Sequence, residues 1–395
     1  MKNKEKIIFF IDSLTTGGAE RVISVLSAKL IEIGYIVEII MLYKQAIMYD
    51  MPVDVRFVYA EDMPVASRKG KWIQAVLERC MDWQVRFLNP LYRKFGYHTY
   101  PRANETRMFF YARYALPYRE YLRQNPGCTA FGFLIRSNIA MLMAAKGLDV
   151  KTVFCERNNP VRPDMPANIM KIRDRIVHRC DAAVFQTQDQ RDYYTWLHCS
   201  SAVIPNPLKE NLPEPFEGKR RKEIVNFCRL NKQKNIPLLI DAFEWLHQEH
   251  PDYTLRIYGQ GEEKDNLIAL TKEKGLDSVV FFDDFAPDVH ERIRDAAMYV
   301  CSSDFEGLSN SMLEALAIGL PCVCTDCEGG GARMMIRDHV NGILTPVGDV
   351  QVLYNSMKEI AENPELAQSL SREAAKIREE LSIEKIADRW EAMIG

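Results

Sequence analysis

The stretch Ser302–Asp326 reads SSDFEGLSNSMLEALAIGLPCVCTD, and the organisation of the whole chain can be argued outward from it. Its pattern predicts a loop containing Glu306, a helix that begins near Ser311, and a strand after Pro321. A second glutamate, Glu314, falls inside an apolar segment of the predicted helix. A charged side chain in such a segment requires a polar partner or ligand.

The loop between the two glutamates is suited to a phosphorylated sugar. Its residues are small and polar, and their amides would lie at a helix N-terminus, which attracts anions. Carboxylates accept hydrogen bonds from sugar hydroxyls. Phosphate and sugar together indicate a nucleotide-sugar. The alternative is that Glu306 and Glu314 are solvated surface residues, the usual environment of glutamate.

The 395 residues suffice for two domains with separate cores. A net charge of -3 argues against general nucleic-acid binding. We expect a cytoplasmic protein, because Asp12 interrupts the first apolar run early and no run approaches the ~20 residues that span a bilayer. The ten cysteines are expected to be reduced. Cys322, Cys324 and Cys327 lack the second cluster that a tetrahedral metal site needs, so no metal is predicted.

The N-terminal half predicts an α/β domain with a doubly wound parallel sheet. A buried strand at Lys6–Ile11 leads into a loop with Gly17 and Gly18, then a helix from about Ala19 to Ile33 and a strand from Val37. The two glycines would let the backbone approach a ligand, although a tight turn without a ligand explains them equally well. The loop lacks the G-x-G-x-x-G pattern, so no nicotinamide dinucleotide is indicated.

Two later strands of this half end in polar clusters. Arg136 follows the predicted strand Ala130–Leu134, and Glu156 and Arg157 follow Lys151–Cys155. Ligands of open α/β sheets bind beyond the carboxyl ends of the strands, so these clusters predict one side of a binding cleft. An ordinary loop explains each cluster taken alone.

Residues 68–123 are basic and aromatic. They contain twelve Arg or Lys residues and four acidic residues, a net charge of +8. Such a segment could contact an anionic membrane or hold a phosphorylated acceptor. It could equally form a helical layer packed on the sheet with a solvated basic face.

A Pro-rich, charged segment after Val203 predicts a domain boundary, and a second βα-repeating domain starts at Glu223. Its first strand, Ile224–Cys228, is followed by a basic loop whose Arg229 and Lys234 suit a diphosphate, or simply form a solvated charge run. No Asp-x-Asp occurs, so a metal-held diphosphate is not expected. The pattern further predicts helices at 289–297, 349–362 and 365–380, and a last helix capped at 382.

Six motifs, in order, resemble glycosyltransferase family 4, whose members are retaining enzymes of the GT-B fold. They are TTGGAERV (15–22), CRLNKQKNIPLLIDAF (228–243), YGQGEE (258–263), EGLSNSMLE (306–314), GLPCVCTD (319–326) and VNGILTPVGD (340–349). The resemblance implies two Rossmann-like domains facing across a cleft, residues 1–206 and 207–378. It also implies that a C-terminal helix, residues 379–395, crosses back to the N-terminal domain.

The resemblance also assigns roles to individual residues. Glu314 would bind the ribose hydroxyls, and Glu306 would face the donor sugar. The implied catalytic residues are Glu306, Arg229 and Lys234. The implied donor-binding residues are Gly17, Gly18, Arg229, Lys234, Gly259, Glu306, Gly307, Leu308, Ser309 and Glu314. The implied acceptor and sugar side consists of Arg136, Glu156 and Arg157.

Three positions depart from the family pattern. Cys228 replaces the glycine of the usual Gly-Arg-Leu. Arg136 and Asn138 lie where many members have a histidine near the donor sugar, so no catalytic histidine is predicted. Met334 follows Arg333 where the family usually has a glutamate, so any contact from that glutamate is absent.

The predicted protein is a metal-independent, cofactor-free retaining hexosyltransferase. It would move a sugar from a nucleotide-sugar, expected to be a UDP-sugar, to a glycan or polyprenyl-linked acceptor in surface polysaccharide biosynthesis. Its expected location is cytoplasmic, with peripheral contact with the inner face of the cell membrane through 68–123. Two alternatives remain open: a sugar-nucleotide epimerase of the same fold, and a non-catalytic sugar-nucleotide-binding partner.

Overall fold

The computed structural model describes residues 5–15, 17–63, 108–161, 165 and 167–394, with isolated positions between 72 and 79. Most of the predicted basic segment therefore lies outside the described residues. The chain divides into two compact units. The first comprises Met1–Phe185, Arg191–Ile204 and Ala387–Gly395, and the second comprises Gln186–Gln190 and Pro205–Ile386.

Among the described residues, the first unit contains a seven-stranded parallel sheet in the order β3-β2-β1-β4-β5-β6-β7. The strands are β1 (Lys6–Ile11), β2 (Ile36–Met41), β3 (Arg56–Tyr59), β4 (Cys128–Phe133), β5 (Val150–Cys155), β6 (Ala182–Phe185) and β7 (Ser200–Val203). The helices are α1 (Gly18–Glu32), α2 (Met108–Arg123), α3 (Ile135–Ala145), α4 (Ala167–Val177) and α5 (Gln188–Tyr193). This order is that of a doubly wound fold, as predicted.

The apolar runs of the first unit become strands because both faces of the sheet are covered. Ile7 to Ile11 of β1 are completely buried, and Ile7 pairs with Val37 on one side and Thr129 on the other. Helix α1 buries Val22, Ile23, Leu26 and Leu30 on one face. Gly34, with φ +106°, follows that helix and turns the chain into β2.

Helix α2 covers the end of the basic, aromatic segment. Its Phe110, Tyr111, Tyr118 and Leu122 are buried in the core of the first unit. For these positions the structure favours the packed helical layer over an exposed binding surface. None of the described helices combines the length and the apolar character needed to cross a bilayer.

Within its described residues, the second unit contains a six-stranded parallel sheet in the order β10-β9-β8-β11-β12-β13. The strands are β8 (Arg221–Phe227), β9 (Thr254–Tyr258), β10 (Val280–Asp283), β11 (Ala296–Cys301), β12 (Cys322–Thr325) and β13 (Ile343–Thr345). The helices are α6 (Ile236–Glu249), α7 (Lys264–Glu273), α8 (Val289–Ile293), α9 (Asn310–Ala317), α10 (Gly331–Met335), α11 (Val350–Glu362), α12 (Pro364–Ala375), α13 (Ile377–Glu380) and α14 (Ile383–Glu391).

Two helix predictions were wrong in their bounds. The helix predicted at 289–297 ends at Ile293, because Ala296–Cys301 form a fully buried strand between β8 and β12. The helix predicted at 365–380 is interrupted at Lys376. Strand β7 and helices α3, α4, α5 and α10 were not predicted.

The last helix, α14, begins in the second unit and ends in the first. Ser382 caps it, since Lys385 N donates to Ser382 Oγ at 3.4 Å. Trp390, in the part that belongs to the first unit, packs its ring on Phe131 and Phe133 at centroid distances of 5.5 and 5.8 Å. The two units divide at 204/205 and at 386/387. The predicted domains, residues 1–206, 207–378 and 379–395, stay a prediction.

Candidate active site

The second sheet reverses its strand order between β8 and β11, which are neighbours in its centre. Ligands of such sheets bind at the carboxyl ends of the strands beside this reversal. Strand β8 leads into the loop that carries Arg229 and Lys234, and β11 leads into the loop that carries Glu306. The fold thus brings together the three residues predicted to be catalytic, on two adjacent loops. Arg229 is exposed.

Lys234 and Glu306 form an ion pair. Lys234 Nζ contacts Glu306 Oε1, and Ser303 Oγ donates to the same oxygen at 3.0 Å. Only 15% and 14% of the two side chains are exposed. Burial lowers the pKa of Lys234, but the charge of Glu306, the hydrogen bond to it and the nearby thiols of Cys228 and Cys301 together outweigh burial, so the pKa is raised above the ordinary lysine value. Lys234 is therefore charged at neutral pH.

Backbone and side-chain hydrogen bonds join the two loops on either side of this pair. Asp304 N donates to Gln233 O at 2.9 Å, and Gln233 Nε2 donates to Phe305 O at 2.8 Å. Ser302 Oγ donates to Lys234 O at 3.0 Å. These bonds fix the backbone on both sides of Lys234, so the position of its ammonium is largely set by the fold.

A Gly-rich loop, residues 328–331, packs against the loop of Glu306. Glu306 N donates to Glu328 O at 3.1 Å. A Cβ on Gly329 would lie 1.7 Å from Glu306 O, and one on Gly331 would lie 2.1 Å from Gly307 O. Gly329 also has φ +97°, a conformation that side chains rarely adopt. These glycines are required because backbone packs directly on backbone.

Gly259 has a similar role beside the basic loop. A Cβ at this position would lie 1.9 Å from Cys228 O, so glycine allows the end of β9 to pack against the residues that follow β8. Its assignment to donor binding stays a prediction.

The N-terminus of helix α9 is ordered by serine hydroxyls. Met312 N donates to Ser309 Oγ at 3.4 Å, as expected for a helix cap. Ser309 Oγ and Ser311 Oγ lie 3.0 Å apart, and Tyr299 Oη donates to Ser311 Oγ at 3.0 Å. Buried Leu308 precedes the cap. The amides of this turn are thus held in a defined direction, suited to an anion.

Glu314 is buried on helix α9, with 4% of its surface exposed. Its Oε2 lies 2.9 Å from Nε2 of His290, which is itself 7% exposed. The predicted polar partner of this carboxylate therefore exists within the protein. The surface alternative for Glu314 is excluded by its burial.

The first sheet reverses its order between β1 and β4, and polar residues follow both strands. Asp12, directly after β1, accepts hydrogen bonds from Arg136 Nη1 at 3.0 Å and Ser137 Oγ at 2.7 Å. Gly17 N donates to Tyr49 Oη at 2.9 Å, and Gly18 is the first residue of α1. Predicted residue Arg136 is thus fixed by a buried carboxylate.

Arg157 and Glu156 are integrated into the first unit. The Arg157 guanidinium lies 4.8 Å from the ring centroids of both Phe133 and Trp390, and burial lowers its pKa to about 10. Glu156 accepts from Arg157 N at 3.0 Å and from Tyr194 Oη at 2.7 Å. These contacts organise the end of β5. The predicted acceptor-side role of the two residues stays a prediction.

Comparison with known proteins identifies the second unit. Residues 209–377 match the family Glycosyl transferases group 1. We call these residues the group 1 domain, after the family whose model they match. The pair Lys234 and Glu306, the helix cap at Ser309, and Glu314 all lie inside this domain.

Two similar proteins are named as glycosyltransferases. The chain is 26% identical over 385 residues to the N-acetylgalactosamine-N,N′-diacetylbacillosaminyl-diphospho-undecaprenol 4-alpha-N-acetylgalactosaminyltransferase of Campylobacter jejuni, covering 94% of each chain. It is 28% identical over 223 residues to an uncharacterized glycosyltransferase of Haemophilus influenzae, covering 55% of this chain and 62% of that protein.

Among solved structures, a variant of S. aureus TarM in complex with Fondaparinux, alpha-GlcNAc-glycerol and UDP superimposes with a TM-score of 0.75 at 14% identity. The match covers 99% of this chain and 100% of that chain. The fold is therefore GT-B, and the predicted resemblance to a GT-B glycosyltransferase is confirmed.

Potential metal ligands within the described residues meet at one place in the group 1 domain. Ligand atoms of Glu249, His250 and Glu362 lie within 4.8 Å of one another. Tyr354 and Lys358 both contact Glu249, so its carboxylate already has a hydroxyl and a cation as partners. The nine described cysteines are free thiols.

Three residues of the site were missed in the sequence. His290 and Asp12 are far along the chain from their partners, and no spacing signals them. Asn206 donates to Asn310 Oδ1 at 2.7 Å and to Leu308 O at 3.4 Å, so it holds the loop before helix α9 in the group 1 domain. Its signal was the pattern Pro-Asn-Pro, which was interpreted only as a domain boundary.

Proposed function

We propose that the chain is a retaining, metal-independent glycosyltransferase of the family 4 type that uses a UDP-sugar. The observation that carries the proposal is the Lys234–Glu306 pair at the strand reversal of the group 1 domain. A charged lysine and a carboxylate at one strand end suit the two halves of a nucleotide-sugar, its diphosphate and its sugar hydroxyls. UDP is bound by the similar TarM variant.

The proposed donor orientation follows the chain from Arg229 to Glu314. Arg229 and Lys234 hold the diphosphate, with the amides after Glu306 at the N-terminus of α9. Glu306 accepts from hydroxyls of the transferred sugar, and Glu314 accepts from the ribose. In this arrangement the diphosphate displaces Glu306 as the principal partner of the Lys234 ammonium.

The proposed reaction is a same-face substitution. The bond between the sugar anomeric carbon and the phosphate oxygen breaks, and a bond to the acceptor oxygen forms. The proton of the acceptor hydroxyl goes to the departing phosphate oxygen, whose charge Arg229 and Lys234 stabilise. No side chain serves as a nucleophile, and the protein cations supply the stabilisation that a metal ion would otherwise provide.

The acceptor is proposed to be a glycan or a polyprenyl-linked glycan of surface polysaccharide assembly. The C. jejuni relative is named for transfer to a diphospho-undecaprenol acceptor. In this chain, Arg136 follows β4 at the strand reversal of the first sheet and is held by Asp12. Its guanidinium offers paired donors to a phosphate or to sugar hydroxyls. Peripheral contact with the cytoplasmic face of the membrane is part of the proposal.

The test is a thermal-shift and calorimetric screen of nucleotide-sugars, followed by turnover with lipid-linked acceptors in the presence and absence of EDTA. We expect a UDP-sugar to bind, its sugar to be transferred with retained anomeric configuration, and EDTA to leave the rate unchanged. Conversion of the donor without acceptor would instead identify an epimerase. Binding without any turnover across the acceptor panel would identify a non-catalytic partner, and absence of binding would refute the proposal.

A further inference from the structure

We propose that His290 is a positioning residue for the nucleotide: it orients the Glu314 carboxylate toward the ribose and so sets the preference for ribonucleotides over deoxyribonucleotides. This inference rests on the proposed function, in which Glu314 binds the ribose hydroxyls. His290 lies on the short helix α8 (Val289–Ile293), outside the motifs used above.

His290 contacts the Glu314 carboxylate directly. His290 Nε2 lies 2.9 Å from Glu314 Oε2, and both residues are more than nine-tenths buried. An ionised carboxylate can only accept hydrogen bonds. In this contact Nε2 of the imidazole is therefore the donor. A hydrogen bond to a buried carboxylate is stronger than one between neutral groups, and it fixes the plane of the carboxylate.

The imidazole of His290 is held in place by aromatic rings. Its ring packs edge-on against Phe227, with centroids 5.6 Å apart and planes at 86°. Phe227, the last residue of β8, packs in turn on Tyr299 of β11 at 5.2 Å. The histidine is therefore held by the two central strands that also carry the loops of Lys234 and Glu306. Its Nε2 cannot move from Glu314 without disturbing these rings.

The Glu314 carboxylate can accept more hydrogen bonds than the one from His290. Two carboxylate oxygens offer about four acceptor positions, so a bond from His290 to Oε2 is compatible with bonds from neighbouring ribose hydroxyls. A freely rotating glutamate would lose conformational entropy on binding a diol, whereas one held by His290 has already lost it. The resulting gain in affinity is large for a ligand with both ribose hydroxyls and much smaller for a ligand that lacks one of them.

The experiment measures the dissociation constants of UDP and dUDP by calorimetry. We expect the unmodified protein to prefer UDP by about tenfold. His290→Met, which has similar length but no donor, should lose most of this preference with little change in the affinity for dUDP. His290→Gln places an amide N–H near the position of Nε2 and should retain it. His339→Met, at an exposed histidine, is the control and should change neither constant.

Coupling to Glu314 separates positioning from general structure. Glu314→Ala should lose the same preference, and adding His290→Met to it should cause no further loss. If the His290→Met protein does not fold, Phe227→Leu loosens the ring while keeping the imidazole and must still lower the preference. An unchanged preference for UDP over dUDP in His290→Met overturns the inference. If His290→Met does not fold, an unchanged preference in Phe227→Leu overturns it.

The measurements distinguish a failure of the role of His290 from a failure of the proposed function. If Glu314→Ala loses the preference and the His290 variants keep it, the role of His290 is refuted while the proposed function stands. If the unmodified protein binds neither UDP nor any UDP-sugar, the proposed function itself fails.

Discussion

Lys234 and Glu306, which are 72 positions apart in the chain, contact each other across the loops that follow β8 and β11. Both side chains are largely buried, and Ser303 is a further donor to the carboxylate. Each charge is therefore compensated mainly by the other. Removing one of them leaves the other in a poorly solvated position.

Lys234→Met should lower kcat/KM with the UDP-sugar by about 100-fold, because the departing diphosphate loses a cation. It should also lower the free energy of unfolding by about 1–3 kcal/mol, since Glu306 stays buried without its partner. The double variant Lys234→Met/Glu306→Gln should recover stability but not activity. Turnover assays and urea unfolding measure the two effects.

Lys222→Met, at an exposed ion pair, is the control and should change neither the activity nor the stability. Activity restored in the double variant would show that the loss came from misfolding.

The pKa of Lys234 gives a pH-dependent prediction. Burial lowers this pKa, and Glu306, through its charge and its hydrogen bond, is the main group that raises it. In Glu306→Gln burial is the largest effect that remains, so the pKa should fall below the ordinary lysine value of about 10.4. Only the protonated lysine attracts the diphosphate. The affinity of Glu306→Gln for UDP should therefore decrease as pH rises through the lowered pKa, whereas that of the unmodified protein stays constant between about pH 7.5 and pH 9.5. Calorimetry across this range checks the prediction, and parallel curves for the two proteins would contradict it.

Much of the fold can be predicted from the sequence because each buried parallel strand is a short apolar run between polar turns. The strand at Lys6–Ile11 has the bounds that its sequence indicates. The helix predicted at 289–297 was too long, because Ala296 and Ala297 belong to the apolar strand Ala296–Cys301, which is flanked by strands on both sides. Periodicity alone cannot separate a short buried helix from a buried strand.

The chemical groups of the candidate site are visible in the sequence, but their pairing is not. Glu314 is predicted to need a partner, yet that partner, His290, is 24 positions away on a helix with no motif. Asp12 and Arg136 are 124 positions apart and meet because β1 and β4 are adjacent. Such contacts follow from strand order, which depends on the packing of the whole unit rather than on local residue spacing.

Trp390→Ala should destabilise the first unit. The ring is 1% exposed, stacks on Phe133 at 15°, and lies 4.8 Å from the Arg157 guanidinium. Removing it leaves a large cavity, with an expected loss of about 3–5 kcal/mol, and Trp390→Phe should lose less. Urea unfolding followed by far-UV circular dichroism measures the change. Phe285→Ala, at a side chain that is 69% exposed, is the control. An equal effect of the two alanine variants would contradict the packing role of Trp390.

Gly329→Ala should weaken UDP binding, whereas Gly348→Ala should not. Both glycines have positive φ, +97° and +75°, so each substitution carries a backbone strain of about 1 kcal/mol. Only at Gly329 would the new Cβ lie 1.7 Å from Glu306 O; at Gly348 nothing lies within 4 Å. The loop of Glu306 must therefore move in the first variant alone. Melting temperatures report the shared strain, and UDP dissociation constants report the displacement. Equal UDP affinity in the two variants would mean that the Gly-rich loop does not hold Glu306 in its binding position.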